Sequence, residues 1–184
     1  ILSDFNISKL CDDLCDMFTP LAQEKQLSFI YENKINDDTF VNSDALKIKQ
    51  IISNLLSNAI KYSIEGKIFF NVSNNENQII FNITDEGIGI PQEKLEEIFK
   101  PFSRIDNKES LIEGNGFGLF VVKGLVDLLN GEIEVNSELQ KGSSFTVKIT
   151  VEFTDKKDKF KEETTDIQRI KPNNSYNILV IDDD

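Results

Sequence analysis

Two asparagines four residues apart, Asn54 and Asn58, interrupt the otherwise apolar run NLLSNAIKYS, with Lys61 and Tyr62 directly after them. At roughly 100° per residue, Asn54, Asn58 and Lys61 project within about 60° of one another on a helix, with Tyr62 at the margin, so they can converge on one object. Further along, DEGIGI sets Asp85 before Gly87 and Gly89, and GNGFGLF alternates Gly114, Gly116 and Gly118 ahead of an apolar segment. Glycines spaced by one residue turn tightly and let backbone approach a ligand. At a helix start they also offer free N–H groups and the positive end of the dipole, which suits phosphate. Each piece has a plainer explanation alone: a solvated helix flank for the asparagines, a tight turn for D-x-G-x-G. Two familiar phosphate motifs do not fit, because G-x-G-x-x-G needs glycine where Leu119 stands and the P-loop needs a Gly-Lys-Ser/Thr ending.

The elements that would position these groups follow from periodicity. Residues 43 to 63 carry Ile48, Ile51, Ile52, Leu55, Leu56, Ala59 and Ile60 on one helical face, with Ser43 as the expected cap. Residues 7 to 26 carry Ile7, Leu10, Leu14, Phe18 and Leu21 near the same spacing, with Pro20 a kink or junction. LSFIYEN and TFVN read as strands, and KIFFNVS and QIIFNITD as a hairpin across the polar NNEN. PQEKLEEIF predicts a helix with Pro91 in its first turn; SRIDNKESLIEGNG, residues 103 to 116, has no period and predicts a mobile loop. A helix is expected to follow through Leu129 and to stop at NG, before the strands EIEVNS and SSFTVKITVEF. Short strands mostly in hairpins, with helices between them, predict an α+β two-layer sandwich.

Composition narrows the chemistry. The chain has 184 residues, 39% hydrophobic and 28% charged, ordinary for a globular protein. Its net charge of −12 argues against a nucleic-acid backbone or an anionic membrane as main partner, so a phosphate ligand must depend on local geometry and a metal. Zero histidines exclude imidazole acid/base catalysis and imidazole metal ligands within this segment. Cys11 and Cys15 are too few for a disulfide framework and read as thiols of a reduced compartment. No apolar run reaches membrane-spanning length and the first residues lack a signal peptide, so a cytoplasmic location is expected, whatever anchors the parent.

Taken in order, N-x-x-x-N with Lys and Tyr behind it, D-x-G-x-G, IFKPFSR and G-x-G-x-G-L closely resemble the catalytic ATP-binding domain of sensor histidine kinases, in the superfamily shared by gyrase, Hsp90 and MutL. The resemblance runs from about Phe5 to Phe153, after a junction at residues 1–4 that looks like the end of the dimerisation helices. It implies the Bergerat ATP-binding fold, a mixed, mostly antiparallel sheet covered on one face by helices. Residues 154–175, rich in Lys, Asp, Glu and Thr, read as a charged linker, and 176–184, NILVIDDD at their end, look like the first strand of a response-regulator receiver domain, with Asp182 and Asp183 its acidic pair.

The resemblance also implies roles and the ligands ATP and Mg²⁺. Asn58 would coordinate Mg²⁺ through its carbonyl oxygen, a hard ligand for a hard cation. Asn54 would support the phosphates or their water shell, Lys61 would lie against phosphate oxygens, and Tyr62 would stack on adenine. Asp85 would accept the adenine amino proton, with Gly87, Gly89 and Ile90 lining the base and ribose. Phe99 and Phe102 would anchor the base of a lid over 103–116, and Gly114, Gly116, Phe117, Gly118 and Leu119 would form its phosphate-binding end. Arg104 would reach the γ-phosphate.

The gyrase and Hsp90 branch carries a water-activating glutamate four residues before the metal-binding asparagine. Here that residue is Asn54, and a carboxamide does not titrate near neutral pH, so transfer is expected over hydrolysis. The nucleophile would be a histidine on a separate dimerisation domain, and the phosphoryl group would pass on to a receiver domain of the same parent, itself expected to be a homodimer. The alternatives are a degenerate nucleotide-binding scaffold and an ATPase of the gyrase and Hsp90 type.

Overall fold

In β5 (Gln78–Asp85) every second side chain is buried, as are Ile68, Phe70 and Val72 of β4 (Lys67–Asn74), and this alternation builds one wall of the core. The computed structural model describes residues 1–101 and 117–154. β4 and β5 pair antiparallel in the expected hairpin; β2 (Ser28–Asn33) lies parallel to β4; β6 (Glu132–Glu138) and β7 (Gly142–Thr150) complete a five-stranded sheet of order β2-β4-β5-β7-β6. The sheet is mixed and mostly antiparallel, in agreement with the expected class. A small antiparallel sheet, β1 (Ser3–Asn6), β3 (Phe40–Ser43) and β8 (Glu152–Thr154), ties residues 3–6 to the end of the domain.

Three helices, α1 (Ile7–Glu24), α2 (Ala45–Tyr62) and α3 (Gly118–Leu128), cover one face of the large sheet. α2 buries Ile48, Ile51, Ile52, Leu55, Leu56, Ala59 and Ile60, the face predicted from spacing, against Phe70, Phe81 and Ile83 of the sheet. Burial of each aliphatic side chain contributes about 1.5–3 kcal/mol, whereas exposed ion pairs such as Lys94 with Glu97 contribute about 0–1 kcal/mol. The fold therefore rests on the shared apolar layer. Asn6 caps α1 by accepting from the Lys9 N–H at 2.8 Å.

Four expectations are corrected. The cap of α2 is Asp44, whose Oδ1 accepts from the Lys47 N–H at 3.1 Å; Ser43 instead ends β3. Pro20 is no junction, since α1 continues past it to Glu24. After Pro91 only Gln92–Lys94 form a short 3₁₀ turn, because successive N–H groups bond three residues back, Lys94 to Pro91 and Glu97 to Lys94. The long strand expected over 143–153 is two: β7 stops at Thr150, and β8, which includes Thr154, leaves for the small sheet to pair with β3. The predicted loop over 103–116, most of the linker and the receiver-like end lie outside the described residues.

Two glycines outside regular expectation give a paired test of this architecture. Gly124 sits within α3 with nothing within 4 Å of where a Cβ would stand, while Gly142, at φ +106°, would place one 1.8 Å from the Asp85 carbonyl oxygen. Gly124→Ala is expected to raise unfolding free energy by about 0.5–1 kcal/mol, and Gly142→Ala to lower it by more than about 2 kcal/mol. Urea unfolding followed by circular dichroism measures both.

Candidate functional site

Asp85 ends the central strand of the large sheet, and the alternation of β5 turns its side chain to the helix-covered side. It is 6% exposed. Its Oδ1 accepts from the Gly87 N–H at 2.9 Å, and the backbone N–H of Ser143, its register partner on β7, also bonds the carboxylate. Burial pushes the carboxyl up to about 6, a shift that the two N–H bonds oppose without cancelling. Among the described residues this buried acceptor has no charged partner, and its chemistry allows it to take a donor from a ligand.

The loop after Asp85 is pinned by backbone contacts. A Cβ at Gly87 would stand 2.5 Å from the Tyr62 carbonyl oxygen, 2.7 Å from Asp85 Oδ1 and 3.0 Å from Ser63 Oγ. Gly89, at φ +68°, would place one 2.0 Å from the Glu138 carbonyl oxygen. The Gln140 N–H donates to Ile88 O and the Ile90 N–H to Ser137 Oγ, both at 2.7 Å, which fastens the loop to the β6–β7 turn. Among the described residues, then, both glycines are required by protein backbone, a reason that spacing alone did not reveal. Ile90 is buried, and Phe99 and Leu119 are half-buried against the core.

The helix α2 presents the second cluster. Asn54, Asn58 and Lys61 are half-buried along its edge, and Lys61 Nζ lies 5.1 Å from the centroid of the exposed Tyr62 ring. Asn54 donates through Nδ2 to the Gln50 carbonyl at 2.9 Å. Gly118, the first residue of α3, has its missing Cβ position 3.4 Å from Asn54 Oδ1 and 3.8 Å from Asn58 Nδ2. The structure thus brings both asparagines to the N-terminus of α3, where unsatisfied N–H groups collect. Phe117 precedes it, partly exposed and without a side-chain cap bond. Phe102, Arg104, Gly114 and Gly116 lie outside the described residues.

Three residues here escaped sequence reasoning. Ser143 supplies an N–H to Asp85, Ser63 leaves a buried hydroxyl beside Gly87, and Lys25, the residue after α1, donates to the Ile60 and Lys61 carbonyls at 3.0 and 3.2 Å, closing the C-terminus of α2. Small hydroxyls and distant lysines carry no spacing signal. An open cleft of about 390 Å³ at Asp85 is also lined by Gln92, Leu95, Asn136, Lys141 and Ser144, and does not include Asn54 or Asn58.

A family model described as "Histidine kinase-, DNA gyrase B-, and HSP90-like ATPase" matches residues 43–153. The chain is 39% identical over 156 residues to the autoinducer 2 sensor kinase/phosphatase LuxQ of Vibrio vulnificus, covering 81% of this chain and 18% of that protein. It is 31% identical over 147 residues to the sensor histidine kinase RcsC of Escherichia coli, covering 79% and 16% respectively. A similarity to LuxQ of Vibrio parahaemolyticus, 28% identical, extends over 97% of this chain. The chain spans about a fifth of the length of these relatives. Among solved structures, the catalytic domain of histidine kinase ThkA superposes with a TM-score of 0.69 at 26% identity, covering 82% of this chain and 95% of that one. Full-length ShkA in complex with AMPPNP superposes with a TM-score of 0.73 at 23% identity, covering 84% and 32%.

The raised carboxyl of Asp85 predicts a pH dependence for the unliganded protein. Because the folded value lies above the unfolded one, folding favours the protonated form. The contribution of Asp85 to stability is full below about pH 4, falls as pH rises to about 6, and is level above. Asp85→Asn should remove this slope and, at pH 7.5, raise the unfolding free energy by about 2 kcal/mol. Urea unfolding at pH 5 and 7.5 checks it; an unchanged slope in the variant would assign the dependence to another group.

Proposed function

The chain belongs to the family of histidine kinase-, DNA gyrase B- and HSP90-like ATPases, and we propose that it is the ATP-binding catalytic unit of a hybrid sensor histidine kinase. In this reading it binds Mg·ATP and presents the γ-phosphoryl group to a histidine on a dimerisation domain, from which the group passes to a receiver aspartate. The observation that carries the reading is the convergence of Asn54 and Asn58 on Gly118 at the start of α3, with the buried Asp85 at the end of the central strand. Carboxamides and N–H groups gathered at a helix N-terminus suit phosphate and a hard cation; a buried carboxylate suits an amino donor of a base.

The roles follow from donor and acceptor types. Asp85 accepts from the adenine amino group, and its two backbone N–H bonds hold it in place to do so. Asn58 would hold Mg²⁺ through its carbonyl oxygen, a hard ligand for a hard cation. When bound, the ion neutralises charge on the phosphates. Lys61, near the Tyr62 ring, adds a positive charge at the same edge. Asn54, tied to Gln50 O, has its oxygen near Gly118 and cannot itself serve as a base for attacking water. In transfer, the histidine nitrogen forms a bond to phosphorus as the bond to the bridging oxygen breaks, and ADP leaves with that electron pair. Arg104 and the expected lid complete the site in this reading.

The tail belongs to the same proposal. The similarity to LuxQ of Vibrio parahaemolyticus extends beyond Thr154; in this reading NILVIDDD, an apolar run ending in acids, is the opening strand of a receiver domain. No helix among the described residues is long and apolar enough to cross a membrane.

Calorimetric titration of the chain with AMPPNP, with and without Mg²⁺, tests the reading. Wild type should bind in a Mg²⁺-assisted manner. Asp85→Asn should weaken binding by at least about 30-fold, the value of a lost hydrogen bond to a buried charge, and Asn58→Ala should remove most of the Mg²⁺ effect. Mixed with ATP and a histidine-bearing dimerisation domain, the chain should form phosphohistidine while releasing little free phosphate alone. A folded wild type that binds no nucleotide overturns the proposal.

A further inference from the structure

Ser63 raises a question that the roles above leave unanswered. It is 2% exposed, and its Oγ is one of two buried side-chain oxygens without a hydrogen-bond partner among the described residues. The other, Thr154 Oγ1, belongs to the last described residue of β8. A buried hydroxyl left unbonded destabilises a fold and calls for an explanation.

Local structure does not need the hydroxyl. Ser63 is the C-cap of α2, and its backbone N–H closes the last turn by bonding Ala59 O at 3.2 Å, with φ −95° and ψ 134° leading the chain out. Alanine would do the same. Its Oγ instead lies beside Gly87, as does the Asp85 carboxylate: the position a Gly87 Cβ would take is 3.0 Å from Ser63 Oγ and 2.7 Å from Asp85 Oδ1. Because residue 87 is glycine, no side chain separates the two oxygens. A carboxylate oxygen carries two lone pairs, and Oδ1 receives the Gly87 N–H, so it can take a second donor.

Resting on the proposed adenine-reading role of Asp85, we infer that Ser63 is a positioning residue for that carboxylate: with nucleotide bound, its hydroxyl donates to Oδ1, keeping Asp85 ionised and its other oxygen turned to the adenine amino group. A donor to the charged form favours ionisation, which opposes the effect of burial. The influences on Asp85 are burial and the Gly87 and Ser143 N–H groups, with no charged neighbour among them. The titratable side chains on adjoining elements are Glu86, engaged with the Lys67 N–H at 2.9 Å, Lys67 itself, Lys61 and Tyr62 at the end of α2, and Glu138 with Lys141 at the β6–β7 turn, paired at 2.6 Å. Ser63 is therefore the neutral donor available to the carboxylate on the α2 side.

The test compares wild type, Ser63→Ala and Ser63→Thr, titrated from pH 5 to 8 with the non-hydrolysable triphosphates of adenosine and of purine riboside, which lacks the amino group. Ser63→Ala should keep an unliganded melting temperature at or above wild type. It should bind the adenosine analogue about 5- to 10-fold more weakly at pH 7.5, as expected for one lost hydrogen bond to a charge. The pH at which affinity falls on acidification should move up by about half a unit to one unit, while binding of the purine riboside analogue stays as in wild type. Ser63→Thr, which keeps the hydroxyl, should restore both the affinity and the pH profile. Equal weakening toward the two analogues would mark a packing role, and unchanged affinity would show that the hydroxyl does nothing; either overturns the inference alone. A wild type with no preference for the adenosine analogue would instead overturn the base-reading role of Asp85, and this inference with it.

Discussion

A carboxylate held in the apolar layer at the end of the central strand is the constraint around which the rest is arranged. Asp85 is 6% exposed and lacks a charged partner among the described residues, so the ionised form is disfavoured and must be supported by groups that cannot drift. Backbone supplies them. Gly87 curls an N–H onto Oδ1, the register of β5 with β7 sets Ser143 opposite, and Gly142 lets the β6–β7 turn close over the Asp85 carbonyl. A slip of one residue in that register would turn Asp85 to the outer face and bring Thr84 inward, so the same pairing that builds the core also installs the acceptor.

The helix α2 joins core and site in one element. Its wide apolar face lies against the sheet, and its edge carries Asn54, Asn58 and Lys61 toward the start of α3. Because the aliphatic face supplies the stabilisation, the polar edge is free to hold half-buried amides that contribute little to folding. Lys25, just after α1, ties down the last carbonyls of the helix, next to Tyr62 and Ser63. The close match in extent to an isolated histidine kinase catalytic domain is what such a self-supporting unit would show.

Much of this was legible in the sequence. Periodicity named the buried face of α2 residue for residue, and the alternation in KIFFNVS and QIIFNITD identified the central hairpin, because both patterns record which side meets the core. Where the reading failed, the deciding forces were not periodic. Asp44 displaced Ser43 as cap because Ser43 was already committed to pairing with Ser3 in the small sheet, and SSFTVKITVEF divided because its last residues pair with β3 rather than β5. The PQEKLEEIF segment has helix-forming residues yet takes 3₁₀-type bonds after an extended Pro91.

By itself the sequence determined the chemical vocabulary and its order: two carboxamides and a lysine on one helical edge, an acid ahead of spaced glycines, more glycines before a helix, and no histidine. It also determined the layer architecture, since apolar spacing is local. Only the tertiary structure decided that Gly118 meets both asparagines, that Gly87 and Gly89 are demanded by protein backbone, and that Ser63 and Ser143 flank Asp85. These contacts join residues tens of positions apart through strand register and helix docking, and a single hydroxyl or backbone N–H leaves no pattern in composition or spacing by which it could be found.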